Sequence, residues 1–157
     1  MNIADTISRF ANSLDQKDWA GLASVLAEWI TVDYSDLRGT KGVVTRAEYI
    51  SLRAEALSEL KTHHLLTNLE TREESGVGRC KASALIYRML GGKFFHSHVI
   101  YEFELMGEDD RVEITGIKQF VLWHEGDASI HAGAKGAKGA KGAKGAKGAK
   151  GVGDGDE

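Results

Sequence analysis

Residues 63–123 read HHLLTNLETREE SG VGRCKASALIYRML GG KFFHSHVIYEFELM GEDD RVEITGIKQFVLW, and this stretch decides the fold class. Four extended runs, at about 63–74, 78–90, 93–106 and 111–123, are rich in β-branched and aromatic residues. Ser75-Gly76, Gly91-Gly92 and Gly107-Glu108-Asp109-Asp110 separate them. Such residues favour tight turns, and connections this short make sequential strands antiparallel. Long antiparallel strands twist and curl. The second half of the chain is therefore expected to form a curved antiparallel sheet.

Upstream the pattern is mostly helical. Ile3, Ile7, Phe10, Ala11 and Leu14 recur at the spacing of one helix face, up to a break at Asp15-Gln16-Lys17. Asp18 can cap a short second helix carrying Trp19, Leu22, Val25 and Leu26. Ile30, Val32 and Tyr34 then alternate with polar residues as in a strand. Gly39 to Gly42 reads as a loop, and Thr45 with Glu48 fits a capping box opening a third helix. Helices first and hairpins later point to an α+β fold rather than an alternating α/β one. Helices on the concave side of a curved sheet would line a pocket of the kind that takes small ligands.

The 157 residues suffice for one domain. From Gly133 the chain runs as Gly-Ala-Lys repeats to Lys150, so the domain is expected over 1–131 and a disordered tail over 132–157. Glycine at every third position is a collagen-like trait, but proline is absent, and a flexible basic linker is the expectation. The missing proline and the repetitive tail also leave open an engineered scaffold. Net charge is −3, with the tail lysines included, so the body is acidic and gives no case for nucleic acid. Cys80 stands alone, which excludes an internal disulfide and fits a reducing compartment. No basic, apolar leader opens the sequence and no apolar run approaches membrane-spanning length; a cytoplasmic location is expected.

Ser13-Leu14-Asp15-Gln16-Lys17-Asp18-Trp19 resembles the segment between the first two helices of scytalone dehydratase. Asp33-Tyr34 and the Thr62-His63-His64 strand start follow in the same order. The His64–Asn68 spacing is similar to that of hexachlorocyclohexane dehydrochlorinase. Bile-acid dehydratase and the SnoaL-like polyketide cyclases share this nuclear transport factor 2-like superfamily. The resemblance covers about residues 4–125. It implies a cone-shaped α+β barrel, a curved antiparallel sheet packed on three N-terminal helices, and a homo-oligomer (trimer or dimer). It also implies cofactor-free catalysis by a buried His–Asp pair.

Carried over residue by residue, the resemblance makes His64 the general base, Asp15 the carboxylate that orients it, and Tyr34 a group that polarises the substrate carbonyl through water. Leu14 stands where that enzyme has a second tyrosine. Tyr87 stands in for a pocket histidine, and His96 and His98 for a serine and an asparagine. With Asn68 these are the expected substrate-binding residues, and scytalone itself is not the expected substrate.

The residue chemistry fits. An imidazole exchanges a proton near neutral pH, and a carboxylate on one ring nitrogen fixes its tautomer. Read alone, Asp15 is an ordinary turn or cap residue, and the resemblance is what makes it half of a dyad. His63 and His64 are adjacent on a strand and point to opposite faces, which leaves His63 on the outside. His96 and His98 share a face with Phe94 and Ile100, expected to be the pocket face. That His-x-His pattern would also suit a metal if His64 joined it, although the resemblance implies none. Tyr34 and Tyr87 could donate to an oxyanion or simply pack. The leading expectation is a dehydratase-like lyase or an isomerase acting on a small cyclic or aromatic-precursor hydroxy-ketone. A non-catalytic ligand-binding or assembly module of the same fold is the alternative.

Overall fold

The computed structural model describes residues 1–37, 40–108 and 111–131. The Gly-Ala-Lys tail, Gly39, Asp109 and Asp110 lie outside the described residues, and so do the expectations that fell on them.

The first helix, α1 (Ile3–Gln16), buries Ile3, Ile7, Phe10, Ala11 and Leu14 along one face. It stops at Lys17, which takes a left-handed conformation and returns its N–H to the carbonyls of Leu14 and Ser13. Asp18 then caps α2 (Trp19–Ser24) by accepting from the Gly21 N–H. Strand β1 (Leu26–Tyr34) begins at Leu26, so the second helix is shorter than its apolar spacing suggests. From Thr40 the segment read as a loop forms a strand instead, β2 (Thr40–Thr45), paired along β1. Thr45 closes the expected capping box with Glu48 and starts α3 (Arg46–Leu57). Four long strands follow: β3 (Lys61–Glu74), β4 (Val77–Leu90), β5 (Lys93–Glu108) and β6 (Arg111–Gly126). A single 3-10 turn, Ala128–Ile130, packs back on β5.

The six strands form one curved sheet in the order β2-β1-β6-β5-β4-β3. Every neighbouring pair is antiparallel except β1 and β6, which run parallel, so the sheet is mixed and not wholly antiparallel. The exception has a simple cause. β1 and β6 are joined through α3 and the whole β3–β6 meander, and such a long connection places no constraint on direction. Gly91 and Gly92 both hold positive φ (53° and 79°), the pairing a two-residue hairpin needs, and here they join β4 to β5.

Residues directly paired across strands share a face. The inner face, covered by the helices, carries Ile30 and Val32 of β1, Ala82, Ala84 and Ile86 of β4, Phe95, Val99, Tyr101 and Phe103 of β5, and Ile114 and Ile117 of β6; all are buried. The outer face divides in two. At one end Leu65, Met89, Phe94 and Trp123 are exposed. At the other end Lys41, Asp33, Lys118, Glu102, Lys81 and Glu70 stand side by side, one per strand, with alternating sign. Sliding any one strand by a residue would turn its charge inward and bury it, so this row helps to hold the register.

Candidate active site

The site begins where α1 ends. α1 lies against β3, and Asp15 in its last turn meets the first residues of that strand. β3 alternates, with Thr62, His64 and Leu66 half-buried and Lys61, His63 and Leu65 exposed. Both inward polar residues bond to the one carboxylate. The Thr62 hydroxyl donates to Asp15 Oδ1 at 3.1 Å, the His64 backbone N–H donates to Oδ2 at 2.7 Å, and the His64 ring nitrogen Nδ1 lies 2.6 Å from Oδ1. The side chains of His64 and Asp15 are only 8% and 13% exposed, so this is a desolvated pair.

That geometry decides the protonation pattern. A carboxylate can only accept, so the proton between the two groups is carried on Nδ1, and Nε2 is left as the basic nitrogen. Burial pushes the Asp15 carboxyl up. The hydrogen bond from the His64 ring, the imidazole charge, the His64 N–H and the Thr62 hydroxyl outweigh burial and hold the carboxyl below its usual value. The aspartate therefore stays ionised beside the imidazole.

Tyr34 lies on the inner face at the end of β1. Its hydroxyl sits 2.7 Å from the hydroxyl of Tyr49 on α3, and the Arg53 guanidinium lies over both rings at 5.5 and 5.6 Å. Tyr34 thus shares a face with His64 but stands across the curve of the sheet from it, with β6, β5 and β4 between their strands.

The remaining expected residues fall elsewhere. His64 pairs with Ile86, Ile86 with Ser97, and Ser97 with His124, so these four form one inner row. His63, Tyr87, His96 and Glu125 form the neighbouring row on the opposite, outer face. Tyr87 and His96 contact each other edge-on there, and His98 stacks on Trp123 at 4.1 Å. Tyr87, His96 and His98 therefore do not join His64, and the three-imidazole metal arrangement has no geometric basis. Asn68 also misses the site. β3 bulges between Thr67 and Glu70, and Asn68, exposed with φ 52°, sits in that bulge. The extra residue breaks the two-residue alternation that would have put it on the His64 face.

Sequence reasoning missed the true inner polar groups of β4, β5 and β6. Arg88 is buried and donates from Nη1 to Ser97 Oγ at 2.7 Å; Ser97 Oγ lies 3.1 Å from His124 Nδ1. Arginine only donates. The Ser97 hydroxyl therefore accepts from Arg88 and passes its own proton toward His124. Burial, then the Arg88 charge, then that of His98 lower the His124 pKa, consistent with a neutral ring accepting that bond. Thr62, the β3 partner of Arg88, is the same residue that bonds Asp15, so the two polar clusters adjoin. Two hollows are described: one of about 390 Å³ along α1, lined by Asp5, Arg9 and Asn12 among others, and one of about 570 Å³ over the charged outer row. Neither is lined by His64 or Asp15.

A family of SnoaL-like domains matches residues 1–118, three quarters of the chain. The protein belongs to the SnoaL-like domain family. Its fold has close counterparts among solved structures. The protein Kfla4162 from Kribbella flavida superposes with a TM-score of 0.76 at 19% identity, covering 82% of this chain and 93% of that one. Hexachlorocyclohexane dehydrochlorinase LinA-type3 from Novosphingobium barchaimii gives 0.67 at 16% identity, with coverage of 82% and 90%. A candidate scytalone dehydratase from Novosphingobium aromaticivorans gives 0.68 at 15%, with coverage of 78% and 83%. At these identities the likeness is one of fold. No curated protein matches the sequence. Among the described residues no helix is long and apolar enough to cross a membrane.

Proposed function

We propose that this SnoaL-like domain is a cofactor-independent lyase or isomerase in which His64 and Asp15 act as one acid–base unit. The observation that carries the reading is the 2.6 Å contact between His64 Nδ1 and Asp15 Oδ1 in a desolvated setting. His64 Nε2 takes a proton from the carbon next to a carbonyl. Asp15 stabilises the imidazolium, the electrons form the new double bond, and the hydroxyl on the neighbouring carbon departs. The imidazolium returns its proton to that hydroxyl, and water is released. For an isomerase the same proton goes back to a different carbon. Positioned acid–base groups of this kind contribute about 10²–10⁴-fold. The substrate class is a small cyclic or aromatic-precursor hydroxy-ketone, and Tyr34 assists at the carbonyl. We take the working form to be a homo-oligomer in which a second copy covers the apolar end of the outer face.

A ligand-holding module without chemistry is the second reading, favoured by the two described hollows, neither of which the pair lines. Proton exchange separates the two. The full-length protein is incubated in deuterated water with small cyclic ketones and hydroxy-ketones, and carbon-bound deuterium and enone formation are followed. His64→Ala and Asp15→Asn are each expected to lose about 10²-fold or more, and the double variant little beyond that, since groups acting as a unit are not additive. Full exchange in His64→Ala would remove the proposed base; no exchange with any ketone favours the module.

A further inference from the structure

Gln119 of β6 is 2% exposed, and neither its amide nitrogen nor its amide oxygen has a hydrogen-bond partner among the described residues. Buried amides are paired in the great majority of native structures, so an orphaned one calls for a cause. Its position supplies one. Gln119 is on the inner face, paired with Tyr101 of β5, and Tyr101 is paired with Ala82 of β4. Val32 and Asp33 of β1 face Ile117 and Lys118, so the next inward residue, Tyr34, comes level with Gln119. The amide thus sits on the floor of the curved sheet, on the His64 face and two inner rows along β6 from His124, the β6 member of the His64 row.

We propose that Gln119 is a specificity-determining group on the inner face of the sheet, its amide taking one acceptor and one donor of a small ligand as a matched pair. An amide offers an N–H donor and a carbonyl acceptor side by side. The complementary partner is a ligand that presents a carbonyl and a hydroxyl, or a carbonyl and an N–H, along one edge, held flat against the sheet. A hydroxy-ketone has that pattern; its choice rests on the acid–base reading above, whereas the pairing rests on Gln119 alone. Sites built around a buried hydrogen-bonding group reject analogues that leave it unpaired far more strongly than apolar pockets discriminate by size.

The test uses ligands that cannot eliminate water, so that binding is read apart from catalysis. δ-Valerolactam carries the donor–acceptor pair; cyclohexanone has the acceptor only. The full-length protein, labelled with nitrogen-15, is titrated with each while the Gln119 side-chain amide signals are followed. The lactam is expected to bind at least tenfold more tightly and to shift those signals. Gln119→Met is expected to bring the two affinities within about twofold while raising Tm, because an apolar side chain of similar length removes the orphaned groups. Equal affinities in the unaltered protein, or amide signals that do not move, overturn the proposal. So does a Gln119→Met protein that keeps the lactam preference, or one whose Tm falls because a trapped water already satisfied the amide. His64→Ala must keep the lactam preference: a preference with no ketone turnover would leave Gln119 in place and sink the acid–base reading, while turnover without a preference would do the reverse.

Discussion

Removing the Asp15 carboxylate should cost this fold stability as well as activity. Three donors converge on that side chain: the Thr62 hydroxyl, the His64 N–H and the His64 ring. Asp15→Ala strands all three in a setting where the two side chains are 8% and 13% exposed. Losing one partner of a buried pair costs about 3–5 kcal/mol, and the residual exposure places the expectation near the lower end, about 3 kcal/mol. Asp15→Asn keeps an oxygen acceptor and loses the charge, for about 1–2 kcal/mol. The pH dependence has a definite sign. The Asp15 carboxyl lies below its ordinary 3.8, so its contribution is complete above that value and fades as pH falls through the lower, folded-state value. The gap between the unaltered protein and Asp15→Asn should therefore close in acid, as pH falls below about 3.8. Urea unfolding followed by tryptophan fluorescence, at neutral pH and through the acid range, gives both quantities. An Asp15→Ala protein within about 0.5 kcal/mol of the unaltered one at neutral pH, the range of an ordinary surface change, would refute the argument that this carboxylate organises the start of β3.

Other outcomes follow from the same geometry. Arg88→Gln removes a positive charge that helps lower the His124 pKa, so that pKa should rise; imidazole NMR titration reads it, and an unchanged value would mean the two groups do not communicate. Thr45→Ala breaks the capping box of α3 and should cost about 1 kcal/mol in urea unfolding. Trp123→Asp, on the apolar end of the outer face where that tryptophan is 52% exposed, should reduce the sedimenting mass to that of one chain. A mass that does not change places any association elsewhere.

The element order was legible because its signals were local. The Asp18 cap, the Thr45–Glu48 box and the paired glycines each act within a few residues. The Asp15–His64 contact was reached through resemblance, since no local pattern joins two residues on different elements. The phase of β5 was not legible. Phe94, His96, His98 and Ile100 alternate with Phe95, Ser97, Val99 and Tyr101, and both sets are apolar enough to face a core. With no polarity contrast, a two-residue period leaves the inward face undetermined. Arg88 escaped for a related reason: a charged residue in a strand reads as outward-facing, and contacts across the ladder, the Ser97 hydroxyl and the Phe95 ring among them, make its burial tenable. The Asn68 bulge and the pairing of β2 depend on register between strands, which a single strand's sequence does not carry. Gln119 was hidden among the polar residues of β6.

The alternating charges on the outer face have a further consequence, which follows from parity. Six strands are an even number, so the row ends in lysine at one rim, Lys41 on β2, and in glutamate at the other, Glu70 on β3. Two molecules meeting by the same rim would set like charges together, whereas a head-to-tail meeting would continue the alternation without a fault, and head-to-tail contacts that do not close grow into filaments. The charges alone therefore give no protection against that growth. The bulge between Thr67 and Glu70 bends the β3 rim beside the last charge of the row, and so removes the straight template that an incoming β2 would need.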